Sequence, residues 1–427
     1  MLELLSSLTR GRRVLIIGFG REGQATYRLL TEKREYRSLA VADIKPAQGV
    51  EDAEILSGEG YLDRIDEFDI AFKSPGVVLP QPRDKYSCYI TSQTELFLRL
   101  YNRQVIGITG TKGKSTVSKL MYHILSSNGV PCLLAGNIGI PVFEIADKLS
   151  PHTVAVVELS CHQLEYCAYS PAVSVLLNIY EDHLDHYGTA EKYARAKKNI
   201  YLNQHPLDVL YCDKSVEPTG AERVSRTVTV RRSDLPFPSF DELAGVKLRG
   251  EHNLKNCAFV YDVAKTFGIT DGQFMSSLIS FEPLRHRLEL IGNVDGVDYF
   301  DDSISTTAES AISAVESIKN ASTLLLGGMD RGIEYGKLIN FVAGSRLQDV
   351  ICMYKSGKRI FDLLSQRRDV LPRLHYCEDL NSAVALARRL TPPGKACILS
   401  PASASYGYFK NFEERGDRFR ELVFADT

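Results

Sequence analysis

The chain has 427 residues, 44% hydrophobic and 24% charged, and its 51 basic and 53 acidic side chains leave a net charge of −2. At about 150 residues per domain this is about three soluble globular domains, and the near-neutral balance excludes a nucleic-acid binder that works by bulk positive charge. No apolar run approaches the roughly 20 residues of a membrane span, the start MLELLSSLTRGRR is no secretory signal, and nine scattered cysteines with no CxxC pair read as reduced thiols of a cytoplasmic protein.

The run at 14–17 is aliphatic and β-branched and leads straight into Gly18, Gly20 and Gly23. Further apolar runs at 39–42, ending at Asp43, and at 68–72, running into Ser74-Pro75-Gly76, alternate with helical patterns. This predicts a parallel, doubly wound sheet closing near residue 102. GxGxxG with Asp43 about twenty residues beyond is a dinucleotide fingerprint that places a pyrophosphate at a helix N-terminus. On that feature alone an NAD-dependent oxidoreductase is a natural reading.

A second unit opens with a strand at 105–108. Val117, Leu120, Met121, Ile124 and Leu125 then recur at helical spacing, and Asn128-Gly129 supplies a stop. Between strand and helix lies Thr109-Gly110-Thr111-Lys112-Gly113-Lys114-Ser115-Thr116. This is where a phosphate loop belongs: backbone N–H groups and the helix N-terminus face the phosphates, Lys114 reaches the β- and γ-phosphates, and Ser115 ligates Mg²⁺. Ile108 stands where the usual spacing has its first glycine.

Strands follow at 154–157, 173–177 and Val209–Cys212, while 216–241 is polar and either β-rich or irregular. Glu158, ending its strand, reads either as a metal ligand opposite Ser115 or as a solvated carboxylate. Asp182-His183 and Asp185-His186 lack the partners of a structural zinc site, and suit either metal and substrate contacts or N-capping. Residues 193–200 form a basic helix face. Asn253 and Asn256, three apart, share one side of a helix. A third α/β unit starts near Arg285, with strands at 323–326, 350–353 and Ala396–Leu399.

Together TGTKGKST (109–116), Glu158-Leu159-Ser160, Asn178…Asp182-His183, Tyr193-x-x-Ala196-Lys197-x-x-Ile200, His252-Asn253-x-x-Asn256, His286-Arg287, Asp302-Ser303, Leu326-Gly327-Gly328 and Phe409-Lys410-Asn411-Phe412 resemble the Mur ligases, ATP-dependent amide-forming enzymes of peptidoglycan precursor synthesis. That family also uses the shortened phosphate loop. Gly136-Asn137-Ile138-Gly139-x-Pro141 and the C-terminal motif most resemble the branch that adds glutamate to UDP-N-acetylmuramoyl-L-alanine.

The resemblance implies three α/β domains: a Rossmann-like UDP-binding domain (1–102), a central phosphate-loop ATPase domain with a mainly parallel sheet (103–284) and a Rossmann-like C-terminal domain (285–427). It implies cell-wall ligase chemistry by a monomer, with ATP, two Mg²⁺ ions and a carbamate on Lys197, through an acyl-phosphate intermediate. Gly110 to Thr116, Asn253, Asn256, Arg287 and Asp302 would bind ATP. Ser115 and Glu158 would hold one Mg²⁺, His183 and Lys197 the other. The uridine-linked substrate would meet Gly18, Gly20, Arg21, Glu22, Asp43, Ile44, Lys45, Ser74, Pro75, Gly76, Asn137, Ser160, Gln163 and His183. Ile44-Lys45 departs from the family's common Thr-Arg at the uracil.

Glutamate would meet Thr306, Arg331, Ser405 and Phe412. Ile304 replaces a lysine common in D-glutamate-adding members, and DSISTT with GGMDRG also resembles a branch that adds L-glutamate. A folylpolyglutamate-type ligase would share the mechanism but generally lacks the N-terminal domain.

Overall fold

The computed structural model describes residues 1–222 and 225–425. Its strands form three sheets, each drawn from its own stretch of chain. The first contains β1 (Arg13–Ile17), β2 (Ser38–Asp43), β3 (Glu54–Ser57), β4 (Ile70–Lys73) and β5 (Tyr89–Thr91), in the order β3-β2-β1-β4-β5. The second contains β6 (Val105–Thr109), β7 (Cys132–Gly136), β8 (Val154–Glu158), β9 (Val173–Leu176), β10 (Val209–Cys212) and β11 (Arg226–Thr229), in the order β11-β10-β9-β6-β8-β7. All pairings in both sheets are parallel. The third contains β12 (Glu289–Val294), β13 (Val297–Asp301), β14 (Ala321–Leu326), β15 (Asp349–Met353), β16 (Arg373–Cys377) and β17 (Ala396–Leu399). Its order is β12-β13-β17-β14-β15-β16, mixed because β12 and β13 form an antiparallel hairpin.

By contacts the chain divides into two compact units, Met1–Pro238 with Lys255–Leu278, and Ser239–Leu254 with Ile279–Thr427. In the first unit one apolar cluster runs through both sheets, from Val14, Ile16, Val41 and Phe72 to Val105, Ala155, Val157 and Leu210. Near-continuous apolar strands such as β1 and β8 have this cause, since a parallel sheet is covered on both faces. In the second unit apolar clusters lie on both faces of the sheet, Leu324 and Leu326 on one and Leu325 and Leu399 on the other.

The helix Lys114–Ser127 buries all five residues of its predicted face. It stops at Asn128, followed by Gly129 at φ 79°. Among its described residues, the polar stretch after β10 holds a single short strand, β11, among 3-10 turns. Strands β3, β5, β7, β12, β13 and β16 were not predicted from sequence. Among the described residues no helix is long and apolar enough to cross a membrane.

Candidate active site

β6 and β8 lie side by side, with Ile108 opposite Glu158. The carboxyl ends of these neighbouring parallel strands therefore open on one crevice. Ile108 is fully buried at the strand end, and the chain turns through Gly110–Gly113 into the helix Lys114–Ser127. Gly113 adopts φ 90°, and a Cβ there would lie 2.8 Å from Asn256 Oδ1. Only glycine meets both conditions without strain.

The loop is pinned from the segment after β9. Lys112 N donates to Asn178 Oδ1 (2.9 Å), Asn178 Nδ2 donates to the Lys112 carbonyl (3.0 Å), and Thr111 N donates to the Asn178 carbonyl (3.0 Å). Thr111 Oγ1 accepts from Tyr180 N (2.9 Å) and lies 3.0 Å from the Tyr193 hydroxyl. Asn178 and Tyr193 are thus the residues that shape the loop.

Lys114 Nζ and Lys197 Nζ donate to the same oxygen, the Gly110 carbonyl, at 2.9 and 2.8 Å. Lys197 comes from the helix Ala190–Leu202, whose first turn is capped by Thr189. It is 1% exposed and its nitrogen lies 4.9 Å from the Tyr193 ring centroid. Burial first, and the charge of Lys114 second, pull its pKa down to about 7.

Glu158 is fully buried, yet only one of its oxygens is held: Asn137 Nδ2 donates to Oε1 at 2.6 Å, and Oε2 has no partner. A buried carboxylate oxygen left unpaired is costly, so the donor set suits a cation. Ser115 is half-buried at the start of the same helix. His183 takes a left-handed backbone (φ 51°), with its ring exposed and 5.0 Å from that of His162. His162 in turn stacks edge-on with His186, which lies 3.1 Å from Glu165. This histidine group was not predicted as a unit, because Ser160–Glu165 and Asp182–His186 meet only in the fold; the Asp185 side chain lies outside the described residues.

A second cleft lies beside this site. Gly18, Gly20, Arg21, Glu22, Asp43, Ser74, Pro75, Gly76, Asn137 and Gln163 line it, with Val77, Gly136 and Pro141. Ten of the fourteen residues expected to bind the uridine-linked substrate are therefore brought together. Asp43 Oδ2 accepts from Phe19 N at 2.7 Å, and its other oxygen accepts from Lys45 N at 3.1 Å, so it also shapes the glycine loop. Ser74 Oγ donates to the Gly18 carbonyl at 2.8 Å. Gln163 Nε2 donates to Glu22 Oε1 (2.7 Å), and burial pushes the Glu22 carboxyl up to about 6. Ser160 is occupied capping the helix Cys161–Leu164. Ile44 and Lys45 are exposed beyond the lining residues, as is His183.

Asn256 belongs to the first unit, while Asn253, Arg287, Asp302 and the expected glutamate residues belong to the second. In the second unit, Ser400 donates to Asp302 Oδ2 (2.7 Å), and burial pushes the Asp302 carboxyl up to about 7. Arg287 sits between His286 and Leu288, both at positive φ. His286 Nδ1 is 2.7 Å from Asp301 Oδ2. Arg415, fully buried, ties the remaining segments: Nε donates to Ser303 Oγ (2.9 Å) and Nη1 to the Ser403 carbonyl (3.0 Å), while Ser303 Oγ donates to the Phe412 carbonyl (2.8 Å). Met329 N donates to the Ala404 carbonyl (2.8 Å), joining the loop that carries exposed Arg331 to buried Ser405. Thr306 is exposed on the segment after Ser303.

Residues 108–264 match the family model described as the Mur ligase middle domain. The chain is 33% identical over 442 residues to a UDP-N-acetylmuramoylalanine--D-glutamate ligase of Geobacillus sp. (strain WCH70), covering 96% of each. It is also 33% identical over 464 residues to the protein of that name from Pelotomaculum thermopropionicum, covering 99% of each. The crystal structure of a MurF ligase from Thermotoga maritima in complex with ADP shares the fold at a TM-score of 0.59 and 16% identity, covering 98% of this chain and 95% of that one. On this identity, sustained along nearly its whole length, the chain belongs to the Mur ligase family of ATP-dependent amide-bond-forming ligases.

Proposed function

We propose that this chain joins D-glutamate to UDP-N-acetylmuramoyl-L-alanine at the expense of ATP. The observation that carries the reading is the meeting of Lys114 and Lys197 on the Gly110 carbonyl, beside a glycine-lined cleft. The names of relatives 33% identical over 96–99% of the chain supply the amino acid.

The reaction brings a carboxylate against a triphosphate, so its physical problem is crowded negative charge. The substrate carboxylate attacks the γ-phosphorus, giving an acyl phosphate and ADP. The glutamate amine then attacks the acyl carbon, the nitrogen gives up a proton, and phosphate leaves with the C–O bond electrons. Lys114 and the N–H groups at the start of its helix neutralise and orient the phosphates. The glycine loop before the helix Arg21–Lys33 cradles the uridine diphosphate in the same way. Asn253 and Asn256 face the adenine, and Arg287 and Asp302 serve the nucleotide. Thr306, Arg331, Ser405 and Phe412 form the glutamate pocket, where the permanent charge of Arg331 suits a carboxylate.

The donor set fits divalent magnesium: Ser115 and Glu158 would hold one ion, His183 and Lys197 the other. When bound, the metal offsets charge between the two substrates. An ammonium cannot ligate a cation, but an amine whose pKa is near 7 is neutral often enough to add CO₂. The carbamate so formed is anionic, which also relieves the repulsion between Lys197 and Lys114.

Phosphate release, measured with ATP and UDP-N-acetylmuramoyl-L-alanine plus either glutamate enantiomer, tests the reading. Release with D-glutamate is expected. Release with L-glutamate alone would favour the other branch, to which Ile304 and DSISTT point.

A further inference from the structure

Lys73 ends β4 and stands opposite Ile17, the last residue of β1, where the glycine loop begins. Strand alternation sends Ile70 and Phe72 into the larger core and leaves Lys73 on the Ala71 side. It is 6% exposed. Its ammonium reaches the Ser74 and Pro75 carbonyl oxygens only at 3.4 Å, and lies 5.6 Å from the Tyr166 ring centroid. None of these is a counter-ion.

Two carboxylates lend it their charge without pairing with it. Glu165 lies 3.1 Å from His186 Nε2, and Glu22 accepts from Gln163 through Oε1 while its Oε2 has no partner. A buried ammonium with no ion partner is destabilising, and a methionine would pack better at this position. No carboxylate pairs with Lys73, whose ammonium has only two long contacts to carbonyl oxygens, so it keeps donor capacity for an oxygen that enters from outside.

Two hollows meet at this point. The outer is the glycine-lined cleft. The inner is lined by Lys73, Arg83, Thr91, His162 and Tyr166, among others, and the two share Pro75 and Gln163. Arg83 is already committed to Glu95 (3.2 Å) and to the Tyr166 carbonyl (2.8 Å). His162, which also lines the inner hollow, packs against His183. The inner hollow is small, about 20 Å³, and admits a single oxygen-sized group beside the outer cleft. The substrate portion next to the diphosphate, the sugar and its acyl chain, is uncharged and rich in oxygen.

We propose that Lys73 binds that portion: its ammonium donates to a hydroxyl or carbonyl oxygen of the sugar–acyl segment and sets its register between the diphosphate and the reacting carboxylate. The inference rests on the uridine-linked substrate assigned above.

Full-length Lys73→Met and Lys73→Arg, titrated calorimetrically with UDP and with UDP-N-acetylmuramoyl-L-alanine, test it. Lys73→Met should bind UDP and ATP as wild type does and melt no lower. It should bind the complete substrate about 10- to 100-fold more weakly, the scale of one charged hydrogen bond. Lys73→Arg should recover part of that loss. Unchanged affinity for the complete substrate overturns the proposal. So does an equal loss for UDP, or a lowered melting temperature with loss of every ligand, because either makes Lys73 a diphosphate or structural residue. Wild-type protein that fails to bind the complete substrate would instead overturn the substrate assignment, whatever the variants do.

Discussion

Lys197 and Lys114 point two ammonium groups at one carbonyl, an arrangement that works against folding. The free Lys197 amine titrates near 10.5 when unfolded and about 7 when folded. Between those values the unfolded chain binds more protons, so stability rises with pH; below about 7 the full penalty applies. In CO₂-free buffer Lys197→Met should therefore resist denaturant better than wild type at pH 7 and show a flatter rise from pH 7 to 9. Its turnover should fall by about 10²- to 10³-fold, the scale of a lost electrostatic stabiliser. A variant that unfolds more easily at pH 7, or keeps near-normal turnover, contradicts the role given to this lysine. Asn137 offers a subtler test. It holds one Glu158 oxygen and leaves the other open, so Asn137→Ala should weaken Mg²⁺ dependence by about 10- to 100-fold, as loss of a ligand-orienting partner does. An unchanged Mg²⁺ titration of activity would show that Glu158 needs no such orientation.

The phosphate loop with its strand and helix was legible because every constraint on it is local: spacing, glycine conformation and helical periodicity agree over some twenty residues. The N-terminal fingerprint was legible for the same reason. Gly23 shows how tightly it is drawn, since a Cβ there would lie 2.0 Å from the Gly18 carbonyl oxygen. Gly23→Ala should destabilise the protein by about 1–3 kcal/mol, the range for overpacking, and weaken uridine-nucleotide binding while ATP binding persists. Wild-type stability in urea would show that the helix Arg21–Lys33 moves without cost. What sequence alone did not reveal depends on chain reversals and long-range partners. The β12–β13 hairpin turns at Asp295-Gly296, both at positive φ, and its strands show no clean alternation of burial. β7 is half-buried at a sheet edge. Lys73, Asn178 and the His162–His186–Glu165 group acquire meaning only from neighbours distant in sequence.

At the scale of the whole molecule, the apolar cluster passes from the first sheet into the second without a break. Removing residues 1–102 would strip one side of that cluster, so the remaining piece should lose cooperative unfolding rather than survive as an ATP-binding fragment. A sharp thermal transition in the fragment, with ATP affinity retained, would contradict this. The central claim joins the two clefts in one reaction: ATP is consumed only when an amine acceptor and the uridine-linked acid are both present. The most direct measurement is phosphate release from ATP with UDP-N-acetylmuramoyl-L-alanine and D-glutamate, each omitted in turn. Sustained release, with stoichiometric amide product, is expected only in the complete mixture. Equal release without the uridine-linked acid, or none in the complete mixture, would contradict it.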